Sequence, residues 1–496
     1  MERWKKNPVI YEINTWVWLR ELSLETGYPV TLANVPEAYW DRLMHLQIDA
    51  VWFMGVWERS PAGIEISNQN AGNLSDFHRA LPDFSFDDNV GSPYCVKSYN
   101  VDQHLGGNSG LAVARSQLAR RNIRIILDYV PNHLAHDHRW VTEFPEYFIR
   151  GTNADLDRDP VNFVRIGNEI FACGKDPFYP AWQDVLQVNV FHPGFREAII
   201  ETLMRVAGLC DGFRCDMAML VMNDIFHQTW NEFAGPKPEL DFWEELIPSI
   251  RRVNPDFIFI AEAYWDTEWN LQRSGFDYCY DKRLYDRLMN ENASSVRLHL
   301  TAGIDFQSGL IRFTENHDEP RQASVLEPLK SRAASIITAT LPGAKLFYEG
   351  QFEGRHVRVP VFLRRRPLET TDQDLFEFFY RLLDQIKAPA FHQGDWRLNE
   401  ITGWPDNDSC KNLLSWQWCY DGDFFLIVVN YSESPSQGIV NMMNAGLPGS
   451  DWLLKDAFTG ITFTRKGNLL VSEGLFVALD PWQFHFLKFF QDRSSE

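Results

Sequence analysis

The sequence has no Cys-x-x-Cys pair and no long basic tract, and no apolar run reaches the roughly 18 residues that a membrane-spanning helix needs. Its seven cysteines (Cys95, Cys173, Cys210, Cys215, Cys279, Cys410 and Cys419) are odd in number and scattered. That pattern argues against a disulfide framework and against a zinc site. Reduced thiols in a cytoplasmic setting are the simplest account. The first residues, Met1 to Pro8, lack the apolar core of a secretion signal. Bases are also few: 47 Lys and Arg against 67 Asp and Glu leave a net charge of −20. That is the wrong sign for a nucleic-acid partner or for an anionic membrane surface. The one basic run, Arg364-Arg365-Arg366, reads as a solvated loop or a set of local ion pairs.

What is present is ample core and many rings. Hydrophobic residues make up 45% of the 496 and charged residues 23%, which fits a globular chain of roughly two or three domains. There are 18 Trp, 16 Tyr and 36 Phe. Most must fill core, but aromatic faces also stack on the C–H faces of sugar rings, so a carbohydrate ligand fits.

Eight short apolar runs alternate with helical patterns over the first 390 or so residues: Val9–Ile13, Ile48–Met54, Ile123–Tyr129, Asp211–Asp216, Phe257–Glu262, Phe276–Tyr280, Leu310–Thr314 and Ala344–Glu349. Alternation of buried strands with helices predicts a parallel sheet. Eight units, with no Gly-rich phosphate turn after the first, favour an α/β fold of the closed (β/α)8 TIM-barrel type over an open doubly wound sheet. The barrel is expected over residues 1–133 and 191–394, interrupted after the third strand by an inserted subdomain, 134–190. Beyond residue 395 short strands and Gly, Asn and Ser turns predict an antiparallel β-sandwich, 395–496. The stretch from Gly55 to Asp102, rich in Gly, Pro, Asn and Asp, is too long for a passive loop and is expected to shape a site. Nothing in the chain fixes an oligomeric state.

The C-terminal strand ends of such a barrel converge on one face, which gathers Asp128, Arg214, Asp216, Glu262, His317 and Asp318. Arg214 and Asp216 are two residues apart, so on a strand they share a side, and Phe213 and Cys215 take the other. A guanidinium beside a carboxylate favours its ionised form, as a nucleophile requires. Several carboxylates with one arginine and histidines suit glycoside cleavage, which builds positive charge on the sugar and delivers one proton to the departing oxygen. A metal centre is the rival, since Asp, Glu and His are also ligands; Arg214 in their midst counts against a bound cation. An aldolase-like barrel would need a lysine ending a strand, whereas Lys345 begins one.

Four stretches resemble the conserved regions of the α-amylase family of glycoside hydrolases, family 13. They are Asp128-x-Val130-x-Asn132-His133, Gly212-Phe213-Arg214-x-Asp216, Glu262, and Asn316-His317-Asp318, in the family's order. Leu186-Gln187-Val188-Asn189 and Leu341 to Gly350 are weaker matches. The resemblance implies a catalytic trio of Asp216 as nucleophile, Glu262 as general acid and base, and Asp318 as a binder of sugar hydroxyls in the distorted ring. It further implies that Arg214 keeps Asp216 ionised, that His133 and His317 bind the sugar at the cleavage point, that Asp128 supports the site, and that Tyr94 is the platform for the reacting ring. The implied activity is retaining hydrolysis of an α-glucan or α-glucoside, with transfer to another sugar, as a transglycosylase, the alternative. A non-catalytic scaffold relative would be expected to have lost one of the three acids. No cofactor is required. Calcium stays open: Asn132 is a candidate ligand, with Asp155, Asp157, Asp159 and Asp176 as candidate partners. Against calcium, and against typical starch specificity, Met219 and Leu220 stand where the family pattern has a Lys-His pair.

Overall fold

The computed structural model describes residues 4–442 and 446–492. Its centre is a closed barrel of eight strands: β1 (Val9–Asn14), β2 (Ala50–Met54), β3 (Arg124–Tyr129), β4 (Gly212–Cys215), β5 (Ile258–Ala261), β6 (Tyr278–Tyr280), β7 (Leu310–Arg312) and β8 (Ala344–Tyr348). Each strand runs parallel to the next, and β8 closes on β1 with Lys345 beside Val9 and Tyr348 beside Glu12.

Side chains alternate between the two faces of each strand. Facing inward, Ile10, Trp52, Ile126, Ile260, Ile311 and Leu346 belong to one buried apolar cluster. Facing outward, Val51, Phe53, Ile125, Leu127, Phe213 and Phe259 pack in the separate cluster beneath the helices. Two residues beyond Ile10, Ile126 and Ile260 stand Glu12, Asp128 and Glu262, so each inward row begins apolar and ends ionisable. Gly212 begins the row that leads to Arg214 and Asp216. A Cβ there would lie 2.5 Å from Ile258 Cγ1, so glycine lets β4 approach β5 this closely.

The helices form where the sequence pairs a cap with an apolar stripe. In Gln373–Ile386, Asp372 accepts from the Leu375 N–H, and Leu375, Phe378, Phe379, Leu382, Leu383 and Ile386 make the buried face. The Gly55–Asp102 stretch is more regular than its composition suggests. It contains helices Pro61–Gln69 and Ala71–Ala80 and a paired strand couple, Trp57–Arg59 with Val96–Val101. Ser60 and Asn70 cap those helices and Pro61 occupies a first turn, so the turn-forming residues are helix starts.

After β3 the chain builds a four-stranded antiparallel sheet from His133–Ala135, Phe163–Ile166, Glu169–Gly174 and Trp182–Gln187. The first of these strands already includes His133, one residue before the expected start of the insert. Past the barrel lie a six-stranded sheet and a three-stranded sheet, joined by antiparallel pairings. Leu413, Leu426, Val428, Val440, Val477 and Leu487 share one buried cluster there. The same region is bonded to the barrel's helices: the indole N–H groups of Trp416 and Trp418 donate to Thr340 Oγ1 (3.2 Å) and Thr340 O (2.7 Å), and Tyr431 Oη donates to Leu288 O (2.5 Å). Among the described residues no helix is long and apolar enough to cross a membrane, and Cys95, Cys173, Cys210, Cys215, Cys279 and Cys410 are in no disulfide.

Candidate active site

The inward rows end at a cavity of about 380 Å³ lined by Asp216, Glu262, Asp318, Tyr94, His133 and Trp182, within the size range of small-ligand pockets. Tyr94 reaches it from the Gly55–Asp102 stretch, and Trp182 from the inserted sheet. Arg214, Asp128 and His317 lie buried beneath. All the residues expected to bind or cleave the substrate are therefore in or directly under one hollow.

Arg214 is the hub. Its Nη1 donates to Asp216 Oδ1 at 2.6 Å and lies 4.0 Å from Asp128 Oδ1. Nη2 is 2.8 Å from Glu262 Oε2, an ion pair off the hydrogen-bond line. Nε donates to Tyr280 Oη at 3.3 Å, and the rings of Trp52, Tyr94 and Tyr280 lie 5.2, 5.3 and 5.5 Å from the guanidinium carbon. One cation thus serves three buried carboxylates, and the surplus negative charge shows in their proton affinities. Burial raises the Glu262 carboxyl to about 7, with Arg214 opposing and Asp216 and Asp318 adding to the rise. Burial also raises Asp216, but its hydrogen-bonded partner Arg214 pulls it back. Glu262 is thereby equipped to carry a proton near neutral pH.

Backbone geometry fixes Glu262 further. Met217, immediately after Asp216, adopts a left-handed conformation (φ 41°) that is unusual for a side-chain-bearing residue. This turns its N–H to Glu262 Oε2 at 2.7 Å, while Tyr264 Oη donates to Oε1 at 2.9 Å.

Asp318 is the opposite case. Its side chain is 43% exposed at the cavity, so the burial that would raise it is only partial there, and the adjoining His317 outweighs it and holds Asp318 at about 2. His317 Nε2 lies 2.9 Å from Asp318 Oδ2 and 2.5 Å from Tyr94 Oη, and Nδ1 is 2.5 Å from Glu12 Oε1. Burial disfavours a charged imidazole, but Asp318 and Glu12 overcome it and lift His317 well above the ordinary histidine range. His133 has no such partner: burial lowers it to about 4, and its ring packs 5.2 Å from that of Trp182. Asp128 is a brace, accepting from Trp52 Nε1 (3.1 Å) and the Gly55 N–H (2.8 Å).

Asn132 is tied to the inserted sheet through Gln187. Oδ1 accepts from Gln187 Nε2 at 2.9 Å, and the same nitrogen reaches Asn132 O at 2.8 Å. Asp155 caps a helix through Thr152, Asp159 accepts from Asn162, and Asp176 accepts from the Phe178 and Tyr179 N–H groups. Among the described residues no three His, Cys, Asp or Glu side chains converge on a metal position. Asn132, Asp155, Asp159 and Asp176 are thus each engaged by donors of the chain itself.

Sequence reasoning missed Glu12, Tyr264, Trp182 and Phe362. Glu12 had a signal, an acid inside an otherwise apolar buried strand. Tyr264 had one too, being two residues past Glu262. Trp182 and Phe362, which also line the cavity, had none.

Comparison with known proteins agrees with this geometry. A family model described as the α-amylase catalytic domain matches residues 40–359. "Alpha-amylase 3" of Dictyoglomus thermophilum is 22% identical over 395 residues, 75% of this chain and 69% of that protein. "Alpha-amylase MalA" of Haloarcula japonica is 24% identical over 366 residues, 72% of this chain but only 45% of that longer protein. The crystal structure of a maltogenic α-amylase, AmyB from Thermotoga neapolitana, superposes with a TM-score of 0.68 at 20% identity, covering 97% of this chain and 98% of that one.

Proposed function

Because the chain belongs to the α-amylase family of glycoside hydrolases, family 13, we propose that it hydrolyses α-glucosidic bonds with retention, through a covalent glycosyl-enzyme on Asp216. The observation that carries this reading is the placement of Asp216 and Glu262 on the two arms of one buried guanidinium, with burial raising both carboxyls and Arg214 opposing the rise. Asp216 Oδ attacks the anomeric carbon as Glu262 gives its proton to the departing oxygen. The carboxylate left on Glu262 then takes a proton from water, whose oxygen displaces Asp216 and releases the sugar in its original anomeric form. Asp318, held ionised by His317, accepts hydrogen bonds from ring hydroxyls. Tyr94 and Trp182 offer faces to the rings.

A second sugar in place of water gives transfer, the alternative outcome of the same second step. Both outcomes run without a metal. The odd number and scatter of the cysteines suit a reducing compartment, and a cytoplasmic location is part of this reading.

The test is incubation with starch, maltooligosaccharides, cyclodextrin, pullulan, sucrose and trehalose, with products followed by chromatography and their anomers by NMR. The α-anomer should appear first. Longer oligosaccharides would mark transfer; a β-anomer first, or no turnover of any of these, would sink the proposal.

A further inference from the structure

The Arg364-Arg365-Arg366 run divides in the folded chain. Arg365 pairs with Asp83 and Asp88, and Arg366 pairs with Glu21 and Glu349. Arg364 has no carboxylate within ion-pair distance among the described residues, and its Nε is buried without a hydrogen-bond partner. It lines a cavity of about 800 Å³, distinct from the catalytic one, together with Arg59, Lys97, His104 and Trp16. A neighbouring cavity of about 590 Å³ shares Arg364, His104 and Trp16 and adds Arg20. The two form one groove between helix Thr15–Thr26 and the Gly55–Asp102 stretch.

Arg20 and Arg59 repeat the anomaly. Neither has a carboxylate within ion-pair distance among the described residues, and each has a buried, unpartnered Nε. Arg59 is only 6% exposed. Its guanidinium donates to the carbonyls of Gly55 (3.2 Å) and Gly91 and lies 5.9 Å from the Trp16 ring. The indole Nε1 of Trp16 is buried without a partner too. The acids that face the groove are already engaged: Glu58 with Lys97 at 2.9 Å and Asp102 with His104 at 2.8 Å. In a chain with 67 acids and 47 bases, this groove brings together three arginines that lack a carboxylate within ion-pair distance among the described residues. Burying an unpaired cation is costly, and a guanidinium is the side chain best shaped for phosphate.

We propose that this groove is a second binding site, for a phosphate ester carrying a polar ring, with Arg20 and Arg364 taking the phosphate, Arg59 adding positive charge from the buried wall, and Trp16 taking the ring. Asn100, Gln103 and Asn108 line the larger cavity and supply amides for ring hydroxyls. The site is structurally linked to the catalytic cavity. Arg59 grips Gly55, whose N–H holds Asp128, and Gly91, three residues before Tyr94.

The test is calorimetric titration of the full chain at low salt with glucose 6-phosphate, inorganic phosphate and glucose. Glucose 6-phosphate should bind saturably and at least about tenfold more tightly than glucose. The double variant Arg20→Gln/Arg364→Gln, which leaves the buried Arg59 in place, should weaken it about tenfold or more with no change in thermal midpoint. No saturable binding, or binding unaltered in the double variant, overturns the proposal. Inorganic phosphate binding as tightly as the ester overturns the part given to Trp16.

Discussion

Two charged regions of this chain are built in opposite ways. At the catalytic cavity one guanidinium, Arg214, is divided among Asp128, Asp216 and Glu262. In the second groove, Arg20, Arg59 and Arg364 have no carboxylate within ion-pair distance among the described residues. Both places put surplus charge where water is scarce, and each relieves it differently. The acidic surplus is relieved by a proton, as Glu262 at about 7 shows. At the basic surplus burial lowers Arg59 to about 10, with Asp102 opposing, and the group stays charged at neutral pH. A guanidinium hardly deprotonates even then, which leaves an anion as the remaining remedy. The difference teaches that an ionisable surplus in a buried site marks proton chemistry, and a permanently charged surplus marks binding.

The catalytic side breaks most sharply at its two acids. Asp216→Asn and Glu262→Gln should each lower kcat/KM by about four powers of ten or more on any genuine substrate, measured as initial rates. Near-normal turnover in either would reassign the roles. Arg214→Lys should cost about a hundredfold or more, because a lysine presents one point charge and cannot span Asp216 and Glu262. The proton bookkeeping comes next. Glu262 must be protonated to act as acid, so kcat/KM should fall as pH rises through about 7. Its folded pKa exceeds its ordinary 4.5, so the folded state binds the extra proton, and this group's contribution to stability declines from about pH 4.5 to 7. Asp318, depressed to about 2, runs the other way: its contribution is full above about pH 4 and is lost as pH falls through 2. Thermal melts across pH separate the two.

Glu12→Gln should act more mildly. It keeps the shape of the acceptor on His317 Nδ1 but removes the charge that helps hold the ring as imidazolium. A loss of about tenfold is expected, growing as pH rises, with the ring nitrogens of His317 titrating near neutrality by NMR only in the variant. The smallest effect expected is from a strong chelator, which should leave both activity and melting temperature unchanged. A clear fall in either would return Asn132 to a metal-binding role.

How much of this was legible in the sequence depended on what fixes each residue. Buried parallel strands must be apolar on both faces, so all eight runs stand out, and an acid or arginine closing one is conspicuous, as at Asp128, Arg214 and Glu262. Glu12 follows the same row logic, but none of the stretches that resemble the family covers it, so it passed as core. The helices of the Gly55–Asp102 stretch hid behind their own caps, because Ser60, Pro61 and Asn70 are as common in loops as at helix starts. Trp182 and Phe362 reach the cavity from outside the barrel strands, through tertiary packing that no local pattern encodes. Asn132 fitted a ligand motif, but Gln187 on a neighbouring strand takes its oxygen.

The indole bonds from Trp416 and Trp418 to Thr340 bear on how the molecule comes apart. Those rings are fully enclosed, and they belong to the same apolar mass as the helices around the barrel. The C-terminal sheets are therefore a wall of the central body and not a tethered accessory. Deleting them would lay bare a face made of Trp, Phe and Ile partners, inviting precipitation, and heating the intact chain should give a single cooperative transition rather than two.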